Sequence, residues 1–207
     1  MQLYFFHTPK TGGTYVCNIL KKESIKKSFE NQGINIKIIG HDPNDLDRVD
    51  YRSSNNLLVT CIRNPVDVIK SLYSHGGDGF SNILTRYNIQ CFNQYYELFM
   101  SDKISFYYNS LYTNNIFYNK FFNGNEFKFR ESFRTDNLEN DLKNFFKKYN
   151  IEYNESDFNL TDIDKNKFTI NDKNSAIQNR HKIERKKNNL ITDQMKVEIY
   201  NKYKYCF

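Results

Sequence analysis

Apolar residues along the chain fall into short blocks separated by turn residues, and the spacing within each block predicts an element. Leu3-Tyr4-Phe5-Phe6 is a continuous apolar run stopped by a Pro/Gly cluster, the pattern of a strand buried in a parallel sheet. From Thr14 to about Lys27 the residues Val16, Ile19, Leu20 and Ile25 predict a single helix with one apolar side. Asn35–Ile39 predicts a second strand, ended by Gly40. Leu57–Ile62, apolar but for Thr60 and rich in β-branched residues, is the clearest strand in the chain. Arg63-Asn64-Pro65 ends it, and Pro65 suits the first turn of a following helix.

Aromatic-rich stretches over 81–101 and 104–122 predict two long helices, and Phe127 and Phe129 alternate as in a strand over Glu126–Arg130. Asp136-x-x-Glu139 reads as a capping box that opens a helix carrying Leu138, Leu142, Phe145 and Tyr149. Residues 151–189 are polar and turn-rich. A last helix starts near Thr192 and carries Met195, Ile199 and Tyr203. Strand–loop–helix units repeated along one chain imply an α/β fold with a largely parallel sheet. No internal repeat or linker divides the 207 residues, so the expectation is one domain, 1–207.

Composition narrows the class. Aromatic residues make up 16% of the chain, with 18 Phe and 16 Tyr, which excludes the aromatic-poor composition of a disordered chain. No stretch approaches the roughly 18 apolar residues of a membrane span, and the N-terminal apolar run is too short for a signal peptide. Cys17, Cys61, Cys91 and Cys206 show no CxxC or Cys/His pairing, so neither a zinc site nor a disulfide framework is expected. Reduced thiols in a cytoplasmic protein follow. Asp157, Asp162 and Asp164 are spaced like a calcium loop but lack its Gly and final Glu. The net charge of +6 favours an anionic partner; no nucleic-acid-binding motif accompanies it.

The candidate chemistry follows the first strand. Thr8-Pro9-Lys10-Thr11-Gly12-Gly13-Thr14 runs straight from it into a helix, as a phosphate cradle would. Gly12 and Gly13 let the backbone curl so that N–H groups converge, and the helix N-terminus adds partial positive charge. Lys10 adds a full charge, and Thr11 and Thr14 add hydroxyl donors. The loop is not a Walker A motif, in which the Lys follows the glycines rather than preceding them. Arg63, at the end of the strand Leu57–Ile62, and Ser71, eight residues on, form a second anion site. In open α/β sheets ligands bind at the C-terminal edge, and two anion sites there suggest one ligand with two separated phosphates.

Phe6-His-Thr-Pro-Lys-Thr-Gly-Gly-Thr14 resembles the 5′-phosphosulfate loop of PAPS-dependent sulfotransferases. Leu57-Leu-Val-Thr-Cys-Ile-Arg-Asn-Pro-Val66, continuing to Ser71, resembles their 3′-phosphate motif. The pattern is most similar to the heparan 2-O-sulfotransferase-like carbohydrate group. Asn64 departs from it, since the family often has Asp there. The resemblance implies a P-loop-like three-layer fold with a mainly parallel sheet. It further implies that Pro9, Lys10, Thr11, Gly12, Gly13 and Thr14 hold the 5′-phosphosulfate of PAPS and that Arg63 and Ser71 grip its 3′-phosphate. Lys10 would offset charge on the departing phosphate. Sulfuryl would pass to an acceptor hydroxyl, expected on a glycan, with no metal; the lack of a nucleic-acid motif and of a membrane-span-length apolar stretch sets the expectation of no nucleic-acid and no membrane partner.

His41, in Gly40-His41-Asp42 just after the second strand, is the expected base that takes the acceptor's proton, with Asp42 and Asp45 as substitutes. Its bland alternative is a strand-end His bonded to a carbonyl. His7, inside the turn, is expected to be structural. Two other functions fit the same residues: a Mg²⁺-dependent P-loop kinase-like phosphotransferase, disfavoured by Arg-Asn where a metal-binding carboxylate is usual, and a non-catalytic nucleotide- or glycan-binding module.

Overall fold

A computed structural model of the chain describes residues 1–7, 11–40, 53–74, 84, 87–101, 103, 131–159 and 191–203. Its centre is a four-stranded, all-parallel sheet of β1 (Gln2–Phe6), β2 (Asn35–Ile39), β3 (Asn56–Ile62) and β4 (Glu131–Arg134), in the order β2-β1-β3-β4. Phe6 stands between Ile39 and Thr60, and Ile62 stands opposite Arg134. Helices α1 (Gly13–Leu20), α2 (Glu23–Asn31) and α5 (Leu138–Lys148) flank the sheet; α3 (Pro65–Ser74), α4 (Phe92–Met100) and α6 (Asp193–Tyr203) are the other α-helices among the described residues.

The described residues gather into two compact units. One comprises those within Met1–Arg63 and Lys120–Phe168, the other those within Asn64–Asn119 and Thr169–Phe207. In the first, alternate strand residues Leu3, Phe5, Leu57, Val59, Cys61 and Phe133 face one core with Val16, Ile19, Phe29, Leu142, Phe145 and Phe146. The Phe29 and Phe146 rings meet edge to face at 5.8 Å, and Phe133 and Phe145 at 5.3 Å. Tyr4, Phe6 and Leu58, on the opposite face, are also buried, as the apolar-on-both-sides pattern of β1 and β3 requires. In the second unit, Tyr73 of α3 packs on Phe92 and Tyr95 of α4. Helix α6 is tied in by the Tyr96 hydroxyl donating to Glu198, and by Lys202 Nζ donating to the Met100 carbonyl at 2.6 Å.

Three expectations are corrected. The helix expected over Thr14–Lys27 is two helices, broken at Lys21-Lys22, where Lys22 is extended (φ −66°, ψ 136°). In one unbroken helix Ile25 would stand half a turn out of phase with Val16; the break resets the phase, so Ile25 and Phe29 are buried. Within 87–101 the helix covers only Phe92–Met100. Asn88 adopts a left-handed conformation (φ 48°) and Cys91 is extended, so no helix runs through them. The Asp136 capping box is not formed: Asn137 is the N-cap of α5, and Asp136 pairs with Arg134 at 3.2 Å. Asp141 closes that end instead, accepting the Arg134 N–H at 2.7 Å and Asn137 Nδ2 at 2.8 Å. The strand expected over Glu126–Arg130 and the helix over 104–122 lie outside the described residues.

Candidate functional site

All four strands point the same way, so the loops after them leave at one edge, and the chain from β1 passes to β2 on one side and later to β3 on the other. The gap between β1 and β3 is therefore where the strand order reverses, the place where open α/β sheets accept ligands. Thr11–Thr14 follow β1, and Arg63 follows β3 directly.

The end of β1 is shaped by polar contacts. The buried Thr60 hydroxyl donates to the Phe6 carbonyl at 3.1 Å, which accounts for a polar residue inside an apolar strand. The His7 N–H donates to the Ile39 carbonyl at 2.9 Å, carrying the β1–β2 pairing one residue beyond the strand. Gly12 is the N-cap of α1 in a left-handed conformation (φ 88°, ψ 6°), and no side chain caps the helix there. Tyr15 and Val16 donate back to the Gly12 carbonyl. The N–H groups of Gly13 and Thr14, in the first turn, have no acceptor within their own helix.

Both glycines are crowded. A Cβ on Gly12 would lie 2.5 Å from Leu138 Cδ1, and one on Gly13 would lie 2.0 Å from His7 Cδ2. The His7 ring thus packs across the turn, with Nε2 3.5 Å from the Thr14 hydroxyl. Thr11 is buried, and its carbonyl accepts the Thr135 hydroxyl at 2.7 Å. That hydroxyl also lies 2.9 Å from the Ile62 carbonyl, whose other partner is the Thr135 N–H at 3.0 Å.

Arg63 is half-buried. Asn64 is exposed; its Oδ1 accepts the Val66 N–H at 3.0 Å, capping α3 ahead of Pro65, and its Nδ2 donates to the Tyr200 hydroxyl. Ser71 is half-buried on α3, in the second unit. Thr8, Pro9, Lys10 and His41 lie outside the described residues.

Lys143 of α5 pairs with Glu139 at 2.7 Å and Glu155 at 2.6 Å, and both glutamates raise its pKa. Burial, then Glu139, raises the Tyr15 hydroxyl. Beneath the edge, burial pushes the Cys61 thiol well up. Among the described residues no group of His, Cys, Asp and Glu is arranged to hold a metal, and no helix is long and apolar enough to cross a membrane.

Thr135 is the residue that sequence reasoning missed. It sits at an unpredicted junction between β4 and α5, and nothing local marks a Thr whose partners are Thr11 and Ile62. No protein-family model, curated protein or solved structure matches this chain.

Proposed function

We propose that the chain is a PAPS-dependent sulfotransferase, one P-loop-like three-layer domain that transfers sulfuryl to an acceptor hydroxyl, on a carbohydrate by its resemblance. One observation carries the reading. The glycine turn at the N-terminus of α1 and Arg63 leave adjacent parallel strands, β1 and β3, at the same edge and at the point of strand-order reversal. A donor with two separated phosphates suits that spacing of anion sites.

In this reading the first-turn amides of α1 and the Thr14 hydroxyl hold the 5′-phosphosulfate, with Pro9, Lys10 and Thr11 completing the loop. Arg63 takes the 3′-phosphate. Lys10, Ser71 and His41 take the roles expected of them from their places in the sequence and from the resemblance. His41 removes the acceptor's proton as its oxygen bonds to sulfur; the bond from sulfur to the 5′-phosphate oxygen breaks. Lys10 and the loop amides offset the charge that moves onto that phosphate, leaving adenosine 3′,5′-bisphosphate. Preorganised positive charge supplies most of the rate enhancement.

Labelled PAPS offered with a panel of glycan, phenol and alcohol acceptors in excess EDTA tests the proposal. Label is expected on a hydroxyl acceptor at undiminished rate, and His41→Ala should lower turnover by roughly 10²–10⁴-fold while bisphosphate binding persists. Strict Mg²⁺ dependence, with phosphoryl rather than sulfuryl transferred, would overturn it.

A further inference from the structure

We infer that Thr135 is a positioning residue for the anion cradle: its hydroxyl holds the Thr11–Gly12 peptide in the orientation that presents the Gly12 amide to the ligand. The inference rests on the anion-site reading above.

Gly12 has the angles of the third residue of a type II turn (φ 88°, ψ 6°). A type I arrangement differs mainly by a flip of the peptide before that residue, here Thr11–Gly12. In a trans peptide the carbonyl and the N–H point to opposite sides. A contact that pins the Thr11 carbonyl therefore fixes where the Gly12 N–H points.

Thr135 is that contact. Its hydroxyl has one proton and two carbonyls within reach, Thr11 at 2.7 Å and Ile62 at 2.9 Å. Ile62 already accepts the Thr135 N–H at 3.0 Å, so the proton is worth most at the shorter contact, to Thr11. The Thr135 N–H and hydroxyl together join the end of β3, one residue before Arg63, to the cradle after β1. Leu138, three residues on, fills the space beside Gly12, so the β4–α5 junction backs the turn with both a donor and a side chain.

The test compares wild type with Thr135→Val, which keeps the shape and removes the donor, and Thr135→Ser, which keeps the donor. Calorimetry with adenosine 3′,5′-bisphosphate should show Thr135→Val binding roughly 3- to 10-fold more weakly, with Thr135→Ser restored to within about twofold of wild type. In the unliganded protein, the Gly12 and Gly13 amide NMR signals should move in Thr135→Val while those of the α5 core residues Phe145 and Phe146 stay in place. Unchanged binding and unmoved glycine amides in Thr135→Val would overturn the role of Thr135 alone. Equal losses in the Val and Ser variants would do the same, because the hydroxyl would not be the cause. A wild type that binds no bisphosphate would instead overturn the anion-site reading, and this inference with it.

Discussion

Gly12 and Gly13 are held to glycine by different neighbours. Gly12 combines a left-handed backbone with Leu138 Cδ1 at 2.5 Å from its would-be Cβ, whereas the three atoms nearest a Cβ on Gly13 all belong to the His7 ring. Gly12→Ala should therefore cost about 1–2 kcal/mol from backbone strain, read by urea denaturation; a cost near zero would mean the turn relaxes. Gly13→Ala should be better tolerated in a His7→Ala background, with a coupling on the order of 1 kcal/mol in a double-mutant cycle. Strict additivity would show that the ring is not the obstacle. The need for small residues after β1 is legible from Gly-Gly following an apolar run. Which side chains fill the space is not, because Leu138 arrives from far along the chain.

Among the elements, β1, β2, β3, α3 and α6 follow from local pattern, since each carries its own signal: an apolar run, a β-branched run, Pro65 at a first turn, Thr192 before the last helix. Thr192 accepts the Met195 N–H at 3.2 Å, as an N-cap does. The break at Lys21-Lys22 was readable in principle from the phase of Ile25. The start of α5 was not, because Arg134, Asp136, Asn137 and Asp141 settle it by side-chain bonds that compete with the expected Asp136–Glu139 box. Asn64 serves α3 with the same acceptor an Asp would offer. Asn64→Asp should thus stay within about 0.5 kcal/mol of wild type, and Asn64→Ala should lose roughly 1 kcal/mol. Equal stability of the three proteins would show that the cap contributes nothing.

For the molecule as a whole, the core around the parallel sheet buries the thiols of Cys17 and Cys61, and the edge of the sheet gathers the candidate ligand groups. Burial pushes the Cys17 thiol up to about 11, with Lys21 pulling back, and burial, then Cys17 and Asp141, push Cys61 well above the ordinary 9.0. A raised folded pKa means that the folded chain holds these protons longer than the unfolded chain does. Their stabilisation is complete below about pH 9 and is lost as pH rises toward the folded values, roughly 2–3 kcal/mol for Cys17. Urea unfolding from pH 8 to 11 should show this fall, shallower in Cys17→Ala; parallel curves would contradict it. The net charge of +6 does not by itself mark the site. Lys143 and Lys148, for example, are paired with glutamates on the first unit's surface.

The strand order β2-β1-β3-β4 gives Arg63 its meaning, because it sets the end of β3 beside the end of β1. The most direct measurement is calorimetric titration of adenosine 3′,5′-bisphosphate into wild type and Arg63→Ala. The account predicts saturable binding that weakens by about 1.5–3 kcal/mol in Arg63→Ala, with only partial recovery in Arg63→Lys because the planar fork is lost. An affinity unchanged in Arg63→Ala, or no binding to the wild type, would contradict it.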